Sequence, residues 1–202
     1  MEFENIILIG MPASGKSTVG VILAKVLGMD FIDTDIVIQQ REGARLNEII
    51  ESRGIDGFLK CEERAILGMD VKNTVVATGG SAVYSDVAMK HLEDGSKVVY
   101  LKVSLDDLKS RLTEMKERGV AIRPDESIEK MYEHRSVLYE KYADITIEED
   151  RSSIEETVLV LLTPNNRTIL LVCFSTCFVA FTCRCHRIDA FRRLAGWRKH
   201  PA

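Results

Sequence analysis

Ile6-Ile7-Leu8-Ile9-Gly10-Met11-Pro12-Ala13-Ser14-Gly15-Lys16-Ser17-Thr18 decides the architecture of this chain. Four apolar residues read as a buried strand. Thr18 to Leu27 then places Val19, Ile22, Leu23, Val26 and Leu27 at helical spacing. Between them lies a turn bounded by Gly10 and Gly15, with Lys16 and Ser17 directly behind it. A strand, a glycine-rich turn and a helix in this order form a phosphate-binding loop. The two glycines let the backbone curl so that successive N–H groups, those of Ala13 and Ser14 among them, face a polyphosphate. The helix start at Gly15 to Thr18 adds its partial positive charge at the same place. Lys16 is placed for the β- and γ-phosphates and the Ser17 hydroxyl for magnesium. The stretch predicts binding of a nucleoside triphosphate.

Further along, apolar runs and helical periods alternate. Strands are expected at about 5–10, 30–33, 74–78, 97–102 and 143–147. Helices are expected at about 16–27, 35–41, 45–53, 57–71, 85–93, 104–118 and 127–141, with a last one near 152–162. Such alternation gives an α/β fold, a five-stranded parallel sheet with helices on both faces. Ligands should gather at the carboxyl ends of its strands. Residues 35–72 are too long for a simple crossover and read as a helical insertion. Residues 117–126 hold glycine, proline and charge without periodicity, the pattern of a flap between two helices.

The 202 residues carry a net charge of −4, with 46% hydrophobic and 29% charged residues, as an ordinary globular chain does. The charge is lopsided. Residues 163–202 hold seven Lys/Arg against one acid, leaving 20 basic and 30 acidic residues in 1–162. An acidic body argues against nucleic acid as partner and for a small-molecule substrate held by local cations. Cys61 is the one cysteine of the body, so no disulfide framework is present there and a reducing, cytoplasmic setting is expected. The N-terminus enters its first strand without a basic, cleavable leader, and no secretion is expected.

Several clusters fit phosphoryl transfer. Asp33 and Asp35 end the second expected strand. One can organise magnesium or its water and the other orient an acceptor hydroxyl, or either can simply cap the following helix. Gly79 and Gly80 follow the third strand, where a substrate could approach the backbone closely, unless they only make a tight turn. Arg123, beside Pro124 in the flap, has no helix-solubilising role and is a candidate clamp for the transferring phosphoryl group. Closing such a flap would exclude water. Arg135, in the next helix, is an anion clamp or a surface arginine.

With these residues assembled, the chain resembles the shikimate kinases, small phosphate-loop enzymes of the nucleoside-monophosphate-kinase superfamily. The likeness spans about residues 4–162 and rests on Gly10–Thr18, Phe31-Ile32-Asp33-Thr34-Asp35, Thr78-Gly79-Gly80, Arg123-Pro124 and Arg135-Ser136-Val137-Leu138-Tyr139. It implies a three-layer α/β/α core domain over 1–162, a substrate-binding insertion at about 35–62 and a lid at about 117–126. It implies ATP as donor, with magnesium held by Ser17 and, through water, by Asp33. Asp35 would bind the acceptor hydroxyls as base or orienting group. Gly79, Gly80 and Arg135 would contact the acceptor, Arg135 at its carboxylate. Lys16 and Arg123 would hold the phosphates, and Arg111 would flank the adenine. The implied reaction converts shikimate to shikimate 3-phosphate in aromatic amino acid biosynthesis, and by analogy a monomer is expected.

The chain also departs from the family pattern. Its substrate segment carries a Gly-Glu-x-x-Phe-Arg-x-x-Glu signature whose arginine pairs with the shikimate carboxylate. Here Gly54-Ile55-Asp56-Gly57-Phe58-Leu59-Lys60-Cys61-Glu62 puts Leu59 at the arginine and Ile55 at the first glutamate. Ser81 replaces the third glycine of the usual triplet, and Asp125 and Glu126 follow Pro124 where apolar residues are usual. Loss of a bidentate guanidinium costs about 2–4 kcal/mol of carboxylate binding unless something replaces it. Lys60 is adjacent, about 100° round a helix. Another sugar acid or polyol as acceptor, or a nucleotide-binding regulatory module, are the alternatives these departures open.

Residues 163–202 extend past the likeness as an apolar and then basic appendage. The run Ile169–Cys183 falls short of the ~20 residues of a membrane-spanning helix, so no membrane anchor is expected. Its Cys-x-Cys-His group lacks the paired spacing of a zinc site.

Overall fold

The sheet forms where the apolar runs lie. In the computed structural model, which describes residues 4–114, 126–148, 157, 158 and 161, strands β1 (Asn5–Gly10), β2 (Asp30–Asp33), β3 (Thr74–Ala77), β4 (Ser96–Lys102) and β5 (Ile145–Glu148) pair in the order β2-β3-β1-β4-β5. Every pairing is parallel. β1 is central and buried along its whole length, the place expected for a continuous apolar run.

Side chains alternate across the sheet and divide the core in two. On one face Ile7, Ile9, Val76, Val98 and Tyr100 meet α4 (Asp86–Glu93) and α6 (Ile128–Tyr142) through Met89, Leu92, Met131 and Tyr139. Leu108 of α5 (Leu105–Glu114) joins them. On the other face Ile6, Leu8, Val75, Val99 and Leu101 pack on Val19, Leu23 and Leu27 of α1 (Lys16–Leu27), with Val158 and Leu161. The result is helix, sheet and helix in three layers.

The excursion after β2 builds a smaller core of its own. Ile38 of α2 (Thr34–Glu42) packs with Leu46, Ile49, Phe58, Cys61 and Ala65 of α3 (Leu46–Leu67). Two helices were expected there, over 45–53 and 57–71. Two form and meet at a kink at Gly54, whose φ of 68° and ψ of 175° are non-helical; α3 names the pair. The end comes early because Arg41 reaches from α2 to donate to the carbonyls of Arg64 (2.9 Å) and Gly68 (3.0 Å), satisfying the last turn of α3. A single turn of 3-10 helix, Ala82–Tyr84, follows β3.

The lid expected at 117–126 lies outside the described residues except for Glu126, and Arg123 lies outside with it. Of the helix expected near 152–162, Thr157, Val158 and Leu161 are described and helical; the 163–202 appendage is outside. Among the described residues no helix is long and apolar enough to cross a membrane.

Candidate active site

Because the central strands run parallel, the loops leaving β1, β2 and β3 meet at one edge of the sheet. The loop after β1 turns into α1 through Gly15, whose φ of 83° is left-handed. Lys16 is buried despite its charge. Its Nζ donates to the carbonyls of Gly10 (2.9 Å) and Met11 (2.7 Å) and to Ser14 Oγ (3.3 Å). A buried ammonium held on neutral oxygens within its own loop suits an anionic group that could replace them. Arg111 of α5 donates to the Ala13 carbonyl at 3.1 Å and so lies against the outer side of the same loop.

The end of β2 contributes two carboxylates with different surroundings. Asp33 caps α2, its Oδ1 accepting from the Asp35 N–H at 2.9 Å. Its Oδ2 accepts from Ser17 Oγ at 2.6 Å. The capping reading of Asp33 thus holds on Oδ1, while Oδ2 is engaged with Ser17. The Ser17–Asp33 pair offers hard oxygen donors at a helix start beside a phosphate loop, a donor set suited to magnesium. Asp35 points further inward. Burial first, and the Asp33 carboxylate next, push it up to about 6, against the pull of Lys16.

β3 closes the cluster. The Gly79 N–H donates to Thr34 Oγ1 at 2.8 Å, tying its loop to the start of α2. A Cβ on Gly79 would stand 2.2 Å from Glu62 Oε1 and 2.9 Å from Asp35 Oδ1. One on Gly80 would meet the Pro12 ring at 2.9 Å. The close approach foreseen at these glycines is thus made by the chain's own carboxylates and proline. Glu62 is 2% exposed. Its Oε2 accepts from Ser81 Oγ at 2.6 Å, while Oε1 has no hydrogen-bond partner. Burial pushes this carboxyl up to about 7; Ser81 opposes the rise and the Asp35 charge adds to it.

Arg135, on α6, is 1% exposed and so is no surface arginine. Its Nε donates to Tyr84 Oη at 3.1 Å, and Tyr139, one turn further on, donates from its Oη to the Gly80 carbonyl at 2.6 Å. Beside the cluster a cavity of about 400 Å³ is lined by Leu59, Lys60, Glu62, Ser81, Ala82 and Tyr84, among others. Contacts thus link Gly10, Ser14 and Lys16, Ser17 with Asp33, and Asp35 with Gly79 beside Gly80, with Arg111 on Ala13 and Arg135 on Tyr84; Gly15 and Thr18 lie at the start of α1.

A sequence profile of the shikimate kinase family matches residues 12–164. The chain belongs to the shikimate kinase family. It is 40% identical over 155 residues to the shikimate kinase of Actinobacillus pleuropneumoniae serotype 5b (strain L20), covering 75% of this chain and 90% of that one. It is 39% identical over 156 residues to the shikimate kinase of Pasteurella multocida (strain Pm70), covering 75% and 89%. Among solved structures, the shikimate kinase from Acinetobacter baumannii in complex with shikimate superposes with a TM-score of 0.73 at 29% identity, covering 82% of this chain and 95% of that one. The shikimate kinase from Aquifex aeolicus gives 0.67 at 30%, covering 87% and 99%.

As a member of the shikimate kinase family, the chain is a phosphotransferase with an alcohol acceptor, and the family implies use of ATP. Its departures now have places. Leu59 and Lys60 both line the cavity, so the turn between them does not take Lys60 out of reach. Ser81 spends its hydroxyl on Glu62, replacing a bare glycine by a tether. Glu62 and Tyr84 received no role from the sequence. Glu62 closes the Phe58–Glu62 signature, which was a usable signal; for Tyr84 nothing in the sequence marked a contact with Arg135.

Proposed function

We propose that the chain transfers the γ-phosphoryl group of ATP to the 3-hydroxyl of shikimate, giving ADP and shikimate 3-phosphate. The observation that carries this reading is the pairing of Asp35 with Glu62 across Gly79, beside the Lys16 loop. A buried carboxyl with an unpartnered oxygen, Glu62, beside the half-buried Asp35 suits an acceptor rich in hydroxyls. Asp35 orients the hydroxyl and takes its proton as the bond to phosphorus forms. Lys16 leaves the Gly10 and Met11 carbonyls for the β- and γ-phosphates, with the loop N–H groups from Gly10 to Thr18 around them. Ser17 and Asp33 hold magnesium, which when bound neutralises charge developing on the phosphates. Arg111 flanks the adenine. Arg123, in a lid over 117–126, closes on the phosphates, and the 35–62 insertion with Gly79, Gly80 and Arg135 receives the acceptor. The cysteine usage supports a reducing, cytoplasmic setting, and a monomer is proposed by analogy with kinases of this size.

A coupled ADP-release assay with ATP, magnesium and shikimate tests the reading directly. ADP release should depend on shikimate and saturate with it; release no faster than without acceptor, up to millimolar concentration, would refute it. Leu59→Arg, which restores a guanidinium to the cavity wall, should lower the KM for shikimate by about tenfold or more. The apolar wall at Leu59 also favours a second acceptor class, other sugar acids, and quinate and gluconate in the same assay separate the two.

A further inference from the structure

We propose that Tyr84 is a positioning residue for the acceptor's carboxylate, acting through Arg135. The inference rests on the acceptor being a carboxylic acid, as read above. Tyr84 stands out from its surroundings because it is a large side chain, 39% exposed, on a turn otherwise buried. It lines the 400 Å³ cavity with Leu59, Lys60, Glu62 and Ser81, and it meets Arg135 twice. The phenolic oxygen accepts from Arg135 Nε at 3.1 Å, and the guanidinium carbon lies 5.1 Å from the ring centroid.

A guanidinium restrained at its edge by a hydroxyl and at its face by a ring keeps one orientation. That orientation matters more here than elsewhere, because Leu59 leaves the cavity wall without a second guanidinium. The 3-10 turn fixes Tyr84 in turn: the Tyr84 N–H donates to the Ser81 carbonyl at 3.0 Å, and Ser81 is bonded to Glu62. The cavity wall, the acceptor loop and Arg135 are thereby one connected unit. Tyr84 so placed governs how well an acidic acceptor is gripped, and has no part in bond making.

Steady-state kinetics and titration calorimetry on the full chain, Tyr84→Phe and Tyr84→Leu, with shikimate and with shikimate methyl ester, test this. Tyr84→Leu should raise the KM and Kd for shikimate about tenfold, with kcat within about twofold and the KM for ATP unchanged. Tyr84→Phe, which keeps the ring, should recover part of that loss. Neither substitution should alter kcat/KM for the ester, which lacks the charge that Arg135 would grip. Equal losses for acid and ester, or a fall in kcat at constant KM, would overturn the role. Wild-type chain that binds shikimate but does not phosphorylate it would sink the proposed reaction alone, since Tyr84 is then judged on Kd. Wild-type chain that does not bind shikimate would remove both.

Discussion

At the scale of single residues the site turns on how close two carboxyls can come. Gly79 is glycine for want of space: an added methyl would sit 2.2 Å from Glu62 Oε1 and 2.9 Å from Asp35 Oδ1. Glu62 is buried and its other oxygen is held by Ser81, so it has little freedom to retreat; Asp35 beside it is half-buried. Gly79→Ala should therefore lower kcat/KM by about a hundredfold while costing roughly 1–3 kcal/mol of stability, read by denaturant titration alongside the ADP assay. A variant with normal turnover would show that the two carboxyls need not converge. The same pair predicts a pH dependence. Asp35 must be ionised to accept a proton, so activity should rise with pH through about 6. Stability runs the other way. Glu62, pushed up to about 7 from an ordinary value of 4.5, favours folding below about 4.5, and this contribution is lost as pH rises through 7. Glu62→Gln keeps an acceptor for Ser81 and cannot ionise. Its melting temperature should gain on the wild type between pH 5 and pH 8, and a constant difference across that range would rule out a neutral, buried Glu62.

At the scale of elements, the strands and most helices were legible because their periods of two and 3.6 are uninterrupted. The sequence separates 45–53 from 57–71 around Gly54, and helical geometry breaks at that residue. Ile49 and Phe58, one on each side of the break, pack into one core and so hold the two helices together across it. The site was legible where backbone chemistry dictates residue type, as in the Gly10–Thr18 loop and the Asp33 cap. At Glu62 only its place in the signature was legible and not its contact with Ser81, 19 residues on; at Tyr84 nothing was, because its contact with Arg135 spans 51 residues of chain. The bend makes its own prediction. Around Gly54 an added Cβ would meet nothing within 4 Å, but φ 68° with ψ 175° is a region open essentially to glycine alone. Gly54→Ala should cost about 1–3 kcal/mol through backbone strain and raise the acceptor KM by displacing Phe58, Leu59 and Glu62. Gly43, at φ 66° and ψ 21°, adopts the left-handed conformation that asparagine tolerates. Gly43→Asn should be near neutral in the same denaturation experiment, and equal costs at the two sites would remove the claim of strain.

At the scale of the whole molecule, the order β2-β3-β1-β4-β5 brings three chain segments, far apart in sequence, to one edge of the sheet. A nucleotide bound as proposed would touch the loop after β1 directly and the end of β2 through Ser17 and Asp33, so binding should brace two strands against each other. Anything that binds only the folded chain stabilises it by mass action, about 2.7 kcal/mol at a hundred times its Kd. For a chain of this size that raises the melting temperature by roughly 5–10 °C. The magnesium share of this gain is separable, because Ser17 is exposed and its hydroxyl is engaged with Asp33 Oδ2. Ser17→Ala removes one oxygen donor while leaving the Asp33 cap on α2 in place. Thermal melts with ADP, with and without magnesium, should show a clear magnesium increment in the wild type and a strongly reduced one in Ser17→Ala. The magnesium-free shift should be alike in both, since the loop N–H groups and Lys16 are untouched. An undiminished increment in Ser17→Ala would move the metal away from the Ser17–Asp33 pair, and no shift with ADP in either protein would take the nucleotide away from the loop after β1.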